Sequence, residues 1–170
     1  ITMNIGTVPA EELEGMLRDK GPLLTAHPSS LDLSNRWILS RLAATVEEVN
    51  TSLGEYRFND AANSIYQFVW HEFCDWYIEM SKHAIYSKSE YSVGTIACLI
   101  AVLDHPLRLL HPFMPFVTED IWQKLPHEDR SIMVSPWPHI QNQIIDKKAE
   151  ESMAEIFEVI TTIRNMRSEL

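Results

Sequence analysis

Residues 59–86, NDAANSIYQFVWHEFCDWYIEMSKHAIY, decide the fold. Asn59 or Asp60 can cap a helix here, nothing inside the run breaks it, and its 28 residues make a rod about 42 Å long at 1.5 Å per residue. The apolar positions Ile65, Phe68, Val69, Phe73, Trp76, Tyr77 and Met80 recur at helical spacing, and Tyr66 and Trp70 widen the stripe. A stripe that broad predicts neighbours on more than one side, so this is expected to be the central helix.

Working outward, Ile38, Leu42, Val46, Val49 and Leu53 predict a helix that begins after Asp32 or Ser34 and ends at Gly54. The link Glu55-Tyr56-Arg57-Phe58 is short. Downstream, Ser87 to Ser92 reads as a turn, and Ile96, Leu99, Ile100, Leu103, Leu107 and Leu110 predict a further helix that Pro106 should kink or split. Pro112 and Pro115 bracket Phe113-Met114 ahead of a shorter helix carrying Thr118 to Trp122 and ending near Leu125-Pro126. Residues 127–145 form a connector with Pro136 and Pro138 around Trp137; its strand-like run, Ser131 to Val134, is too short to imply a sheet. The last helix starts near Asp146 and places Met153, Ile156, Phe157, Ile160 and Ile163 in register. The pattern predicts an all-α fold, an antiparallel helical bundle over residues 31–170. Residues 1–30 read as an irregular lead-in with one short helix opening at Pro9.

Composition agrees. A chain of 170 residues, 45% hydrophobic and 22% charged, fits one globular domain and excludes a disordered or collagen-like class. Five glycines leave little material for phosphate-cradling loops. No run approaches the roughly 18 apolar residues of a membrane span. Fourteen Lys and Arg against 24 Asp and Glu give a net charge of −10, so any contact with nucleic acid has to be local. Cys74 and Cys98 sit in apolar helical patterns, as expected of a reduced, cytoplasmic protein. Starting at Ile1 and stopping at Arg167-Ser168-Glu169-Leu170 inside a helical pattern, the chain reads as excised from something longer.

No catalytic or metal-binding residue is expected. The seven histidines lack the Glu-x-x-His pairing of di-iron bundles, and His71 with Cys74 finds no second pair at ligand spacing. Gly-x-Ser-x-Gly is absent, and the adjacent carboxylates Glu47-Glu48 and Glu150-Glu151 lie about 100° apart on a helix, so they do not converge. What remains is a set of cations and rings near helix ends, a chemistry suited to stacking on unpaired bases or gripping phosphate. These are Arg36, Trp37 and Arg41 first, Arg57, Phe58 and Asn59 second, and Arg164 and Arg167 last. Periodicity alone favours the plainer alternative, with Trp37 in the core and the arginines paired to acids such as Asp32.

Five strings in order carry a resemblance: Asn35-Arg36-Trp37-Ile38-Leu39-Ser40-Arg41-Leu42, Tyr56-Arg57-Phe58-Asn59-Asp60-Ala61-Ala62, Glu72-Phe73-Cys74-Asp75-Trp76-Tyr77, Leu110-His111-Pro112-Phe113-Met114-Pro115-Phe116-Val117-Thr118-Glu119 and Ser135-Pro136-Trp137-Pro138. From about Leu31 to Leu170 the chain resembles the anticodon-binding helical domain of class I valyl-tRNA synthetases. The resemblance implies that the anticodon loop of valine tRNA is a partner, that the catalytic domain of the same chain is another, and that neither membrane nor DNA is. It implies a parent enzyme that is a valine–tRNA ligase using ATP and Mg in the cytoplasm, while this stretch holds no cofactor. The catalytic motifs of that family are absent; Glu79-Met80-Ser81-Lys82-His83 imitates one of them inside a helix. The competing expectation is a non-catalytic helical domain for protein interaction or structure.

Overall fold

The computed structural model describes residues 31–86, 92–140 and 144–169, and among these there is no strand. Helix α1 spans Leu33–Gly54. Asp32 caps it: its Oδ1 accepts the Asn35 N–H at 2.7 Å, satisfying one of the four orphan donors at a helix start. The expected stripe of Ile38, Leu42, Val46 and Val49 is buried, but Asn35, Trp37, Leu39, Ser40, Thr45 and Ser52 are buried too. α1 therefore touches neighbours on several sides, residues 58–77, 92–110 and 147–168, while Glu47, Glu48 and Thr51 stay exposed. It, rather than residues 59–86, is the central helix, which corrects the expectation.

The predicted long helix is present in three parts: α2 over Phe58–Gln67, a π-helical segment over Phe68–Tyr77 and α3 over Ile78–Tyr86. Gln67, Phe68 and Ile78 at the junctions keep right-handed helical backbone angles, so the rod is unbroken. Its start differs from the expectation. Arg57 takes the cap position with no side-chain cap bond, in place of Asn59 or Asp60. The π register has a packing rationale. Phe68, Phe73 and Tyr77 are all buried, and residues five apart diverge by about 140° on an α-helix. Hydrogen bonds from i to i+5 bring such residues back onto one face.

Two contacts set the direction of this rod against α1. Tyr77 Oη donates to Asn35 Oδ1 at 2.5 Å, and Arg41 meets Glu72. Rising numbers on one helix face falling numbers on the other, so the pair is antiparallel, as predicted. Asn35 also donates through Nδ2 to Thr95 Oγ1 at 3.3 Å, tying in α4, Ser92–Leu110. Pro106 lies inside α4, which continues to Leu110 without splitting. Burial holds the Tyr77 hydroxyl well above its ordinary range and pushes the Cys98 thiol up to about 12, so both stay protonated at neutral pH.

Helix α5 spans Pro115–Trp122, with Pro115 at its first position. A small second core of Leu107, Trp122, Leu125 and Ile132 anchors the connector. Buried Asp104 organises it, accepting from Trp122 Nε1 at 2.8 Å and from Arg108 Nη2. The strand-like run is a 3₁₀ turn over Ile132–Val134. Further on, Trp137 Nε1 donates to Asn50 Oδ1 at 2.6 Å and Asn50 Nδ2 donates to the Pro138 carbonyl at 3.2 Å, a reciprocal clamp onto α1. Helix α6, Lys147–Ser168, is capped by Asp146. Ala149 and Met153 are buried and Phe157 is half-buried. Ile156 and Ile163, expected in the core, are exposed along with Val159 and Met166, because no described residue covers that half of α6. The lead-in of residues 1–30, with its short helix, and most of the Ser87–Ser92 turn lie outside the described residues.

Candidate nucleic-acid interface

The first group of candidates is turned inward. Trp37 is 4% exposed and meets Phe157 edge-on at 5.0 Å, while Phe157 packs on Trp76 at 4.1 Å. The indole is a core ring with no accessible face, which corrects the expected platform. Arg36 donates from Nε and Nη2 to Asp146 Oδ2, at 2.9 and 2.5 Å. Arg41 grips Glu72 with a two-pronged fork, 2.8 Å on each prong, and lies 3.8 Å from Glu150. The plainer alternative is right in kind, since both arginines are paired, but the partner is not Asp32, which is engaged in capping α1.

The Arg36–Asp146 and Arg41–Glu150 pairs seat α6 on α1, while the Glu72 fork ties α1 to the π segment. Partial burial would raise the Asp146 carboxyl, yet the Ala149 N–H and the Arg36 guanidinium outweigh it and hold its pKa below the ordinary carboxylate range. Glu150 behaves alike: burial opposes ionisation, while the Ser40 hydroxyl and Lys147 favour it and prevail. The fork on Glu72 raises the Arg41 pKa against the opposing effect of burial.

The second group faces water. Arg57 is held over the first turn of α2, donating from Nε to Glu55 Oε2 at 2.7 Å and from Nη1 to Asp60 Oδ2 at 2.6 Å. Both acids raise its pKa, and all three groups are exposed. Phe58 is 55% exposed and meets Tyr56 edge-on at 6.3 Å. Tyr56 has a left-handed φ of 59°, an uncommon conformation for a residue with a side chain, and it presents its ring almost wholly to solvent. Asn59 is exposed beside them. The link Tyr56 to Asn59 thus gathers two rings, an amide and a guanidinium at one end of the α1–α2 pair.

The third group divides. Arg164 lies over the Trp76 ring, 5.1 Å from its centroid, a cation–π contact that occupies one face of its guanidinium. Arg167 is exposed on the last turn of α6. His71 faces Asp75 at 3.3 Å instead of joining Cys74, and no three His, Cys, Asp or Glu residues converge as metal ligands among the described residues. No described helix is long and apolar enough to cross a membrane.

Sequence reasoning missed two rings. Tyr66 and Trp70, read as part of the core stripe, are exposed on α2 and the start of the π segment. The signal was present: Asn59, Asn63 and Gln67, spaced four apart, mark the solvent face of α2, and Tyr66 and Trp70 fall within it.

Fold and surface define a helical module, an all-α bundle with a guanidinium, two rings and an amide exposed at one end. A family model described as the anticodon-binding domain of tRNA ligase matches residues 35–170, and the chain belongs to that family. It is 48% identical over 141 residues to a valine–tRNA ligase of Listeria monocytogenes, covering 82% of this chain and 16% of that one. It is 42% identical over 171 residues to a valine–tRNA ligase of Bacillus cereus, covering 100% and 18% respectively. The chain therefore spans about one sixth of the length of the curated relatives it matches. Among solved structures, a chain in the ternary complex of Agrobacterium radiobacter K84 agnB2 LeuRS-tRNA-LeuAMS aligns over 80% of this chain and 16% of its own, at 17% identity and a TM-score of 0.48.

Proposed function

We propose that this chain is the anticodon-reading domain of a valine–tRNA ligase. It binds the anticodon loop of valine tRNA in the cytoplasm and presents the acceptor end to a catalytic domain of the same parent chain, where ATP and Mg activate valine. The observation that carries this reading is the family match over residues 35–170, the bundle itself. Recognition falls to the exposed link, with Arg57 toward phosphate, Phe58 toward a base face and Asn59 toward a base edge, and Arg167 adds a cation from α6. Arg36, Trp37 and Arg41 serve by holding α1 and α6 in place, since a ring 4% exposed cannot take a stacked base.

With a net charge of −10, binding should be weak and its salt dependence shallow, because few phosphates are neutralised. Titrating the chain with valine tRNA and with the same tRNA carrying a swapped anticodon tests the proposal. Preference for the native anticodon is expected; equal affinity removes anticodon reading from this domain. The burial of Trp37 is the observation that favours the second reading, a structural or protein-interaction bundle, and sequence-blind RNA binding in the same titration would support it.

A further inference from the structure

The solvent face of α2 runs on into the first turn of the π segment as a row of uncharged groups: Asn59, Asn63, Tyr66, Gln67 and Trp70, all exposed. At 100° per residue the four on α2, Asn59, Asn63, Tyr66 and Gln67, fall within an arc of about 100°, opposite the buried Ala61 and Ile65, and Trp70 continues the row from the π segment beside Tyr66. The rings of Tyr66 and Trp70 are 51% and 55% exposed and lie nearly parallel, 20° apart with centroids separated by 6.3 Å. His71 meets Tyr66 edge-on at 5.8 Å, bracing it from one side. No hydrogen bond within the described residues occupies the side-chain amides of Asn59, Asn63 or Gln67.

A solvent-facing helix surface is ordinarily lined by charged residues, and two half-exposed rings forgo the stabilisation that burial gives. Here the row combines two kinds of group that together suit a nucleobase. Aromatic faces stack on bases of any sequence, and an amide both donates and accepts, matching the mixed edges of an unpaired base. The row begins at Asn59, so it is continuous with the exposed link.

We propose that this face of α2 and the π segment binds unpaired nucleotides of tRNA, with bases stacked on Tyr66 and Trp70 and their edges bonded by the amides of Asn63 and Gln67. The inference rests on the reading of the chain as an anticodon-binding domain. It adds a stacking site that carries no charge, so its share of the affinity persists at salt concentrations that weaken the Arg57 contact.

The test uses the full 170-residue chain with two probes: an anticodon-arm hairpin of valine tRNA and an octamer of adenosine nucleotides. Trp70→Ala is expected to weaken both about tenfold and Tyr66→Ala somewhat less, the loss of one stacked base. Trp70→Phe should restore most of the affinity, and Asn63→Ala with Gln67→Ala should weaken the hairpin. Circular dichroism should be unchanged throughout. If the hairpin binds no better than its anticodon-swapped form while Trp70→Ala still weakens octamer binding about tenfold, the functional reading falls and the stacking site stands. If the variants bind both probes like the parent, or the parent binds neither, the stacking site is overturned. Dimerisation in sedimentation that Trp70→Ala abolishes would also overturn it, in favour of a protein-docking face.

Discussion

Helices α1 and α2 carry the same kinds of residue and use them in opposite ways. On α1, Trp37 lies in the core and Arg36 and Arg41 clamp Asp146 and Glu72. On α2 and the π segment, Tyr66 and Trp70 keep open faces, and Arg57 leans on two acids that are themselves in water. Residue type alone does not make a recognition surface. What separates the two is how many neighbours surround the helix, and α1 is packed on sides where α2 meets solvent.

The sharpest way to break the comparison is to truncate both indoles. Trp37→Ala should cost about 3–5 kcal/mol in urea unfolding, as large aromatic deletions in cores do. Trp70→Ala should cost less than about 1 kcal/mol, as surface changes do. Equal losses would erase the distinction. Next in size is Tyr77→Phe, which strands the buried Asn35 Oδ1 without its donor and should destabilise by about 1–3 kcal/mol. A neutral effect would mean that a water replaces the phenol.

Acid should loosen the α1–α6 side. Asp146 and Glu150 have folded-state pKa values below their ordinary range. The stability they contribute is therefore complete above the unfolded-state values and is lost as pH falls through the folded-state values. Stability against urea, measured from pH 6 downward, should fall below about pH 5, with a shallower slope in Asp146→Asn than in the parent. The smallest effect belongs to Arg57→Ala. Its partners are solvated, so the melting temperature should not move measurably, while RNA affinity should fall.

Much of the bundle was legible in the sequence because its determinants are local. Asp32 and Asp146 cap the helices that their positions predict, and the apolar periods of α1 and of residues 58–86 appear as helix. Two things were not legible. The partners of Arg36 and Arg41 lie 110 and 31 residues away, beyond any helical repeat. The π register over residues 68–77 shifts the phase of the side chains after Gln67, so a wheel drawn at 3.6 residues per turn sets the buried Phe73 and Tyr77 on the solvent face. For the candidate interface, the sequence pointed to helix ends rich in Arg and aromatic residues. Only neighbours distant in the chain could separate the inward cluster at Trp37 from the outward one at Phe58.

The clamp between Asn50 and the connector has a consequence for ageing of the protein. One amide there accepts from an indole and donates to a backbone carbonyl, so both of its ends are committed and its orientation is fixed. Spontaneous hydrolysis of that amide to a carboxylate would keep the bond to Trp137 and set an oxygen against the Pro138 carbonyl. Stored material would then loosen at the far end of α1 through the change of a single atom.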